Sequence, residues 1–216
     1  MKINTKKTKI LPFNLTKNYD FLPQLNFPGH EPLEVIYETK LLGVTLASDL
    51  SWWPHVKDIT RRATGKLWVL VRFKSLGGST QQLVQIYQTR VRSTLEFAAT
   101  VFHSSLSKEQ SKTIERVQKK ALAIILGNMY NTYESALANL NLERLDARRL
   151  MLCQKFAQKC TKSARHSAMF PPNPNFRPNM RTPKPYFERL CHTSRHYNSA
   201  VPFLSRILNQ NFTNGS

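Results

Sequence analysis

The spacing of apolar residues changes its period near position 50. Before that point, Leu33-Glu34-Val35-Ile36-Tyr37 partly alternates and is rich in β-branched and aromatic types, which predicts a strand. Glu38-Thr39 reads as a tight turn and Lys40–Leu46 as a second strand, so the two make a hairpin. Gly43 inside the second strand marks a close approach by another backbone or a ligand. Upstream, Ile10-Leu11-Pro12-Phe13 is a short strand at most. Residues 14–32 carry Pro23, Pro28, Gly29 and Pro32 and read as a loop with one brief strand near 24–27.

From Ser51 onward the period is helical. Val56, Ile59, Ala63, Leu67, Leu70 and Phe73 step by three or four residues, Pro54 suits the first turn, and Gly77-Gly78 ends the helix. Ser79 with Gln82 is a capping box opening a second helix through Leu83, Tyr87, Val91, Leu95 and Ala98. Ser107 with Gln110 opens a third through Ile114, Val117, Ala121 and Ile125, closed by Gly127. A short helix near Tyr133–Asn139 and a longer one near Glu143–Lys162 follow, on short connections that predict antiparallel neighbours. Between Phe170 and Pro185, six prolines in 16 residues predict an extended linker. Ser199–Asn209 is a short terminal helix. The fold class is therefore α+β. Residues 1–50 are β-rich, 51–165 all-α, 166–185 a Pro-rich linker, and 186–216 a basic tail with the terminal helix.

Charge narrows the partner. The 216 residues hold 32 Lys+Arg against 13 Asp+Glu, a formal net charge of +19. Most of it lies in the helical part, where residues 51–165 carry 20 basic and seven acidic groups. Such an excess points to nucleic acid first and an anionic membrane surface second. Arg61, Arg62 and Lys66, followed by Arg72, Lys74, Arg90, Arg92, Arg116, Lys119, Lys120, Arg148 and Arg149, recur beside the apolar stripes. That arrangement lets one helix face pack while another holds phosphates without reading bases. Trp52, Trp53, Trp68, Phe73 and Phe102 read mainly as core; Trp53 is set apart because adjacent side chains cannot both face one interior.

Other chemistry is sparse. Cys153, Cys160 and Cys191 make no disulfide framework, and the six histidines show no metal-ligand spacing. No P-loop or nucleophile elbow is present. Asp20, Glu31, Glu34, Glu38 and Asp49 are scattered, whereas two-metal phosphoryl transfer needs converging carboxylates. A polar start and the lack of an 18-residue apolar run predict an intracellular protein, nuclear or cytoplasmic, with no membrane partner.

Asn4-Thr5-Lys6-Lys7-Thr8-Lys9, Lys40-Leu41-Leu42-Gly43-Val44-Thr45-Leu46, Asp49-Leu50-Ser51-Trp52, Pro54-His55-Val56 and Ile114-Glu115-Arg116-Val117-Gln118-Lys119 supply a further expectation. In this order they resemble the C-terminal part of non-LTR retrotransposon reverse transcriptases, in the jockey-like clade. The tail, Ser199-Ala200-Val201-Pro202-Phe203-Leu204 with Leu208-Asn209, is similar to that family's ending. The resemblance implies that residues 1–50 are a remnant of the polymerase palm and that 51–165 are the thumb. It implies that Asn4, Lys7 and Thr8 lie at the palm edge, Lys7 near the phosphates of an incoming nucleotide. Leu41, Leu42, Gly43 and Val44 would be the primer grip. Trp53 departs from the family, which tends to a small or polar residue there.

The family's catalytic aspartates lie before the Asn4–Thr8 motif, where only Met1-Lys2-Ile3 stand. The expectation is thus a fragment of an RNA-directed DNA polymerase with no catalytic residue of its own. Mg²⁺ belongs to the full-length family enzyme, and no cofactor is expected in this chain. Its partner is an RNA–DNA hybrid or duplex bound without sequence preference. The rival readings are a polymerase completed in trans by the missing palm and fingers, a helical nucleic-acid-binding or protein-interaction module, and a non-functional relic.

Overall fold

The structure is a computed structural model that describes residues 4, 7–13, 32–179 and 181–213. The brief strand expected near 24–27 lies outside the described residues. The chain forms two compact units, Met1–Arg61 and Arg62–Ser216. The expected division at 50/51 differs from this boundary, which falls inside the helix that follows the sheet segment.

In the first unit, β1 (Lys9–Ile10) pairs in parallel with β2 (Glu34–Val35), and Lys9 meets Glu34 at 2.9 Å. β3 (Glu38–Leu41) runs antiparallel to β4 (Val44–Ala47), with Leu41 opposite Val44. The hairpin turn is therefore Leu42-Gly43, not Glu38-Thr39, and Lys40–Leu46 is not one continuous strand. A two-residue turn of type I′, one of the two types that match strand twist, needs positive φ at both central residues. Leu42 and Gly43 supply it, at +49° and +85°. Gly43 is thus a turn residue, and the apolar character of Leu42 hid the turn.

α1 (Trp53–Ser75) starts on a polar relay. Asp49 Oδ1 accepts the Ser51 N–H at 2.8 Å, and Ser51 Oγ accepts the Trp53 N–H at 3.3 Å. His55, fully buried, accepts the Thr45 N–H on Nδ1 at 3.2 Å and so ties β4 to the first turn of α1.

The second unit is helical. α2 (Thr80–Ile86) opens on the Ser79/Gln82 capping box. The helix expected to run to Ala98 is interrupted. A π-helical turn at Tyr87–Arg92 leads into α3 (Ser93–Glu96), Ala98 turns left-handed at φ +55°, and α4 (Ala99–Phe102) then carries Phe102 into the core. α5 (Lys108–Leu126) begins on the Ser107/Gln110 capping box. It ends where Lys74 Nζ donates to the carbonyls of Ile124 (2.6 Å) and Ile125 (3.1 Å). Gly127, at φ +58°, leaves room for that ammonium. α6 (Tyr133–Asn139) and α7 (Leu145–Thr161) follow.

The Pro-rich segment is not an extended linker. Phe170 is buried among Cys153, Ala157 and Cys160 of α7 and Leu204, Ile207 and Leu208 of α9 (Ala200–Thr213). The chain leaves at Pro171 and returns at Phe187, whose N–H donates to the Pro171 carbonyl at 2.9 Å. Asn209 closes the return, since its Oδ1 accepts the Tyr186 N–H and its Nδ2 donates to the Tyr186 carbonyl. α8 (Ser194–Tyr197) lies between the return and α9.

Candidate nucleic-acid interface

Local chemistry shapes the Asn4–Thr8 motif. The Asn4 carbonyl accepts the N–H groups of Lys7 and Thr8, both at 3.1 Å, and the Thr8 hydroxyl at 2.9 Å. This small turn leaves Lys7 exposed just before β1. At the hairpin tip, Leu42 is 88% exposed and Leu41 57%, while Val44 is buried. The four residues expected to act together therefore divide. Leu41, Leu42 and Gly43 form a projecting apolar turn, and Val44 anchors it. Lys40 binds Asp58 at 3.1 Å, and Asp58 also binds Arg61 at 3.1 Å. Exposed pairs of this kind hold little energy, so Arg61 is available at low cost.

Arg62 and Lys66 face differently. Both are half-buried. Lys66 Nζ donates to Thr94 Oγ1 at 2.6 Å, pinning α1 to α3. The reason is helical register. Val56, Ile59, Ala63, Leu67 and Leu70 form the buried stripe, and positions 62 and 66 flank it. Several other cations serve the fold. Arg148 grips Glu96 through Nε at 2.6 Å and Nη2 at 3.2 Å, with Arg92 3.9 Å from the same carboxylate. Arg149 is fully buried, and burial pulls its guanidinium below the usual value.

The exposed side of α1 within the second unit was misread from sequence. Trp68, expected in the core, is 65% exposed. Gly65, Trp68 and Arg72 stand at i, i+3 and i+7 and share one helix face. The Arg72 guanidinium lies 5.9 Å from the Trp68 ring centre. A Cβ built on Gly65 would meet nothing within 4 Å, so nothing described in this chain needs the space. The signal available in sequence was the glycine itself, at a position where it costs a helix about 0.5–1 kcal/mol relative to alanine.

A buried polar network joins α5 to its neighbours. The Tyr87 hydroxyl donates to Gln118 Oε1, and the Tyr133 hydroxyl donates to Glu115 Oε1. Gln118 Nε2 donates to the Tyr133 hydroxyl and the Glu143 carbonyl, both at 2.9 Å. Burial, first of all, raises both phenols above the ordinary tyrosine range. They stay protonated and hold α5 against α6 and the start of α7.

A metal finds little here. Glu38 and Asp49 line one open cleft of about 610 Å³ with Tyr37, Trp53 and Lys57, but Asp49 already accepts the Ser51 N–H. Among the described residues no three His, Cys, Asp or Glu side chains converge as a metal site requires. Among the described residues no helix is long and apolar enough to cross a membrane. No protein-family model, curated protein or solved structure matches the chain.

Proposed function

We propose that this chain is the grip-and-thumb part of a non-LTR retrotransposon reverse transcriptase, and that it binds a template–primer duplex through backbone contacts. The observation that carries the reading is the Gly65–Trp68–Arg72 stripe on α1. A glycine gap lets a sugar–phosphate backbone approach the helix main chain, Arg72 pairs with a phosphate, and the Trp68 ring packs against sugar or base faces. The second unit supports it with 24 Lys+Arg against seven Asp+Glu over residues 62–216. The projecting Leu41-Leu42-Gly43 turn agrees with a grip that touches a strand by shape rather than charge. Contacts of these kinds carry no base code, so affinity rather than sequence choice is the product.

Fluorescence anisotropy with a labelled RNA–DNA hybrid tests this. Binding is expected at about 50 mM salt and falls steeply by 200 mM, as counterion release demands. Trp68→Ala with Arg72→Ala is expected to weaken hybrid binding by about tenfold or more and to lower the salt slope by about one. Unchanged affinity in that variant sinks the assignment of the stripe. A second reading, completion of a polymerase in trans, is favoured by the apolar exposure of Tyr37, Leu41 and Leu42 in the first unit. On either reading the chain alone extends no primer, and extension by the purified chain overturns both.

A further inference from the structure

α5 carries a second cationic row, separate from the α1 stripe. Lys108, Lys112, Arg116 and Lys119 are spaced by four, four and three residues, which sets them along one helix face. At 1.5 Å per residue the row is about 16 Å long, room for several consecutive phosphates. It forms one wall of a groove of about 440 Å³, and Arg144 at the start of α7 stands on the other. Lys119 lies 4.8 Å and Arg144 5.9 Å from the Tyr133 ring centre, so a buried aromatic holds both cations in position. Glu115 and Asp146 also line the groove. Glu115 Oε1 accepts the Tyr133 hydroxyl and the Leu145 N–H, while its Oε2 is buried without a hydrogen-bond partner, and Asp146 is gripped by Arg144 at 3.1 Å. Arg116 pairs with Glu109 at 2.9 Å, an exposed pair that yields to a phosphate at low cost.

The floor adds an independent observation. Arg149 lies wholly buried, and its Nη2 donates to Ser111 Oγ at 2.9 Å. Its Nε and Nη1 have no hydrogen-bond partner. Ser111 itself lines the groove. Its oxygen accepts from the Arg149 guanidinium, and a hydroxyl that accepts keeps one proton to donate. A buried cation in low dielectric, relayed by a hydroxyl to a cationic surface, is arranged to receive an anion with oxygen acceptors.

We infer that the α5–α7 groove is a track for a single nucleic-acid strand, with the α5 row and Arg144 on successive phosphates and the Ser111 hydroxyl on a phosphate oxygen. The inference rests on the chain being a nucleic-acid binder, and extends it from one surface to two. A strand suits the groove better than a duplex. The α5 row and Arg144 stand on opposite walls of one groove of about 440 Å³, a width that suits the backbone of one strand. Lys74 at the end of α1 holds the C-terminus of α5; along that helix Lys119 lies five residues back, about 8 Å, and Lys112 12 residues back, about 18 Å. The Lys108–Lys112 end of the row is therefore the part set apart from α1.

The test compares two probes and two variants of the full chain by anisotropy. The probes are a labelled oligo(U) strand and an RNA–DNA hybrid. The groove variant is Lys108→Glu with Lys112→Glu. An acidic residue at 108 suits the start of α5 and one at 112 stands four residues before Arg116, while the new like-charge pair at 108 and 112 works against the helix, so thermal melts accompany the binding data. The surface variant is Trp68→Ala with Arg72→Ala. The groove variant is expected to weaken oligo(U) binding by about tenfold or more and to lower its salt slope by about 1.4, two contacts at about 0.7 each. The surface variant is expected to leave oligo(U) affinity within about twofold while weakening the hybrid. Should thermal melts show the groove variant unfolded, Lys112→Gln alone is read instead, with about a threefold loss expected. Unchanged oligo(U) affinity in the groove variant overturns the groove while leaving the duplex reading intact. Equal losses on both probes from both variants also overturn it, since one surface then serves both. Displacement of oligo(U) by polyglutamate at matched charge overturns it as a general polyanion patch. Failure of the wild-type chain to bind either probe removes the nucleic-acid reading itself.

Discussion

Burial holds the His103 imidazole at a pKa of about 4, and the Arg149 charge acts in the same direction. In the unfolded chain a histidine titrates near 6.5. Between those values the unfolded state takes up a proton that the folded state refuses. The stabilising contribution is thus complete above about pH 6.5 and is lost as the pH falls toward 4. Thermal melts are expected to show a lower Tm at pH 5 than at pH 7.5, and His103→Gln is expected to flatten that part of the dependence. An unchanged slope in the variant would place the proton elsewhere. Nothing in the sequence announced this: His103 is followed by two serines, and only tertiary packing, with the Phe203 ring 5.9 Å away and Arg149 of α7 acting on its charge, half-buries it. Arg149 is the wider case. It was grouped with Arg148 in a basic face, yet one residue's rotation about α7 sends Arg148 to Glu96 at the partly exposed edge and Arg149 inside.

At the scale of elements, glycines separate structural from functional demands. Gly43 is needed by the hairpin turn at φ +85°, so Gly43→Ala is expected to cost about 1–2 kcal/mol. Gly65 is helical and faces open space, so Gly65→Ala is expected to stabilise by about 0.5–1 kcal/mol and raise Tm by a few degrees. If the α1 stripe meets a backbone, Gly65→Leu weakens hybrid binding even though the protein folds. Melting and anisotropy on the same samples decide it, and a tight-binding Gly65→Leu would remove the close-approach argument. Helix starts were legible in sequence where side chains cap backbone directly, as at Ser79 and Ser107. A third capping box, Thr132 with Ser135, escaped because a serine stands where Glu or Gln is usual. The break at Phe97-Ala98 also escaped, because its apolar spacing continues through the left-handed residue.

Over the whole molecule, the Pro-rich segment and α9 complete the core of the second unit. α7 alone would leave Cys153, Ala157 and Cys160 bare, and α9 with Phe170 covers them. Burial pushes the Cys153 thiol up to about 11 and raises Cys160 as well. With a disulfide reagent near neutral pH, half-exposed Cys191 is expected to react in the folded chain, and the other two only on unfolding. A chain ended before Phe170 keeps only Cys153 and Cys160, and is expected to expose both thiols and to aggregate; persistent protection of Cys153 there would mean α9 is not its cover. The amino-acid sequence by itself determined the α+β class, the helical periods, most helix starts and the excess of positive charge. Those follow from local spacing, capping chemistry and counting. Tertiary structure alone decided which cations are pins and which are free, that the prolines turn back rather than lead away, and that Trp68 faces outward. Each depends on what a side chain meets across the fold, and adjacent residues on one helix can meet entirely different surroundings.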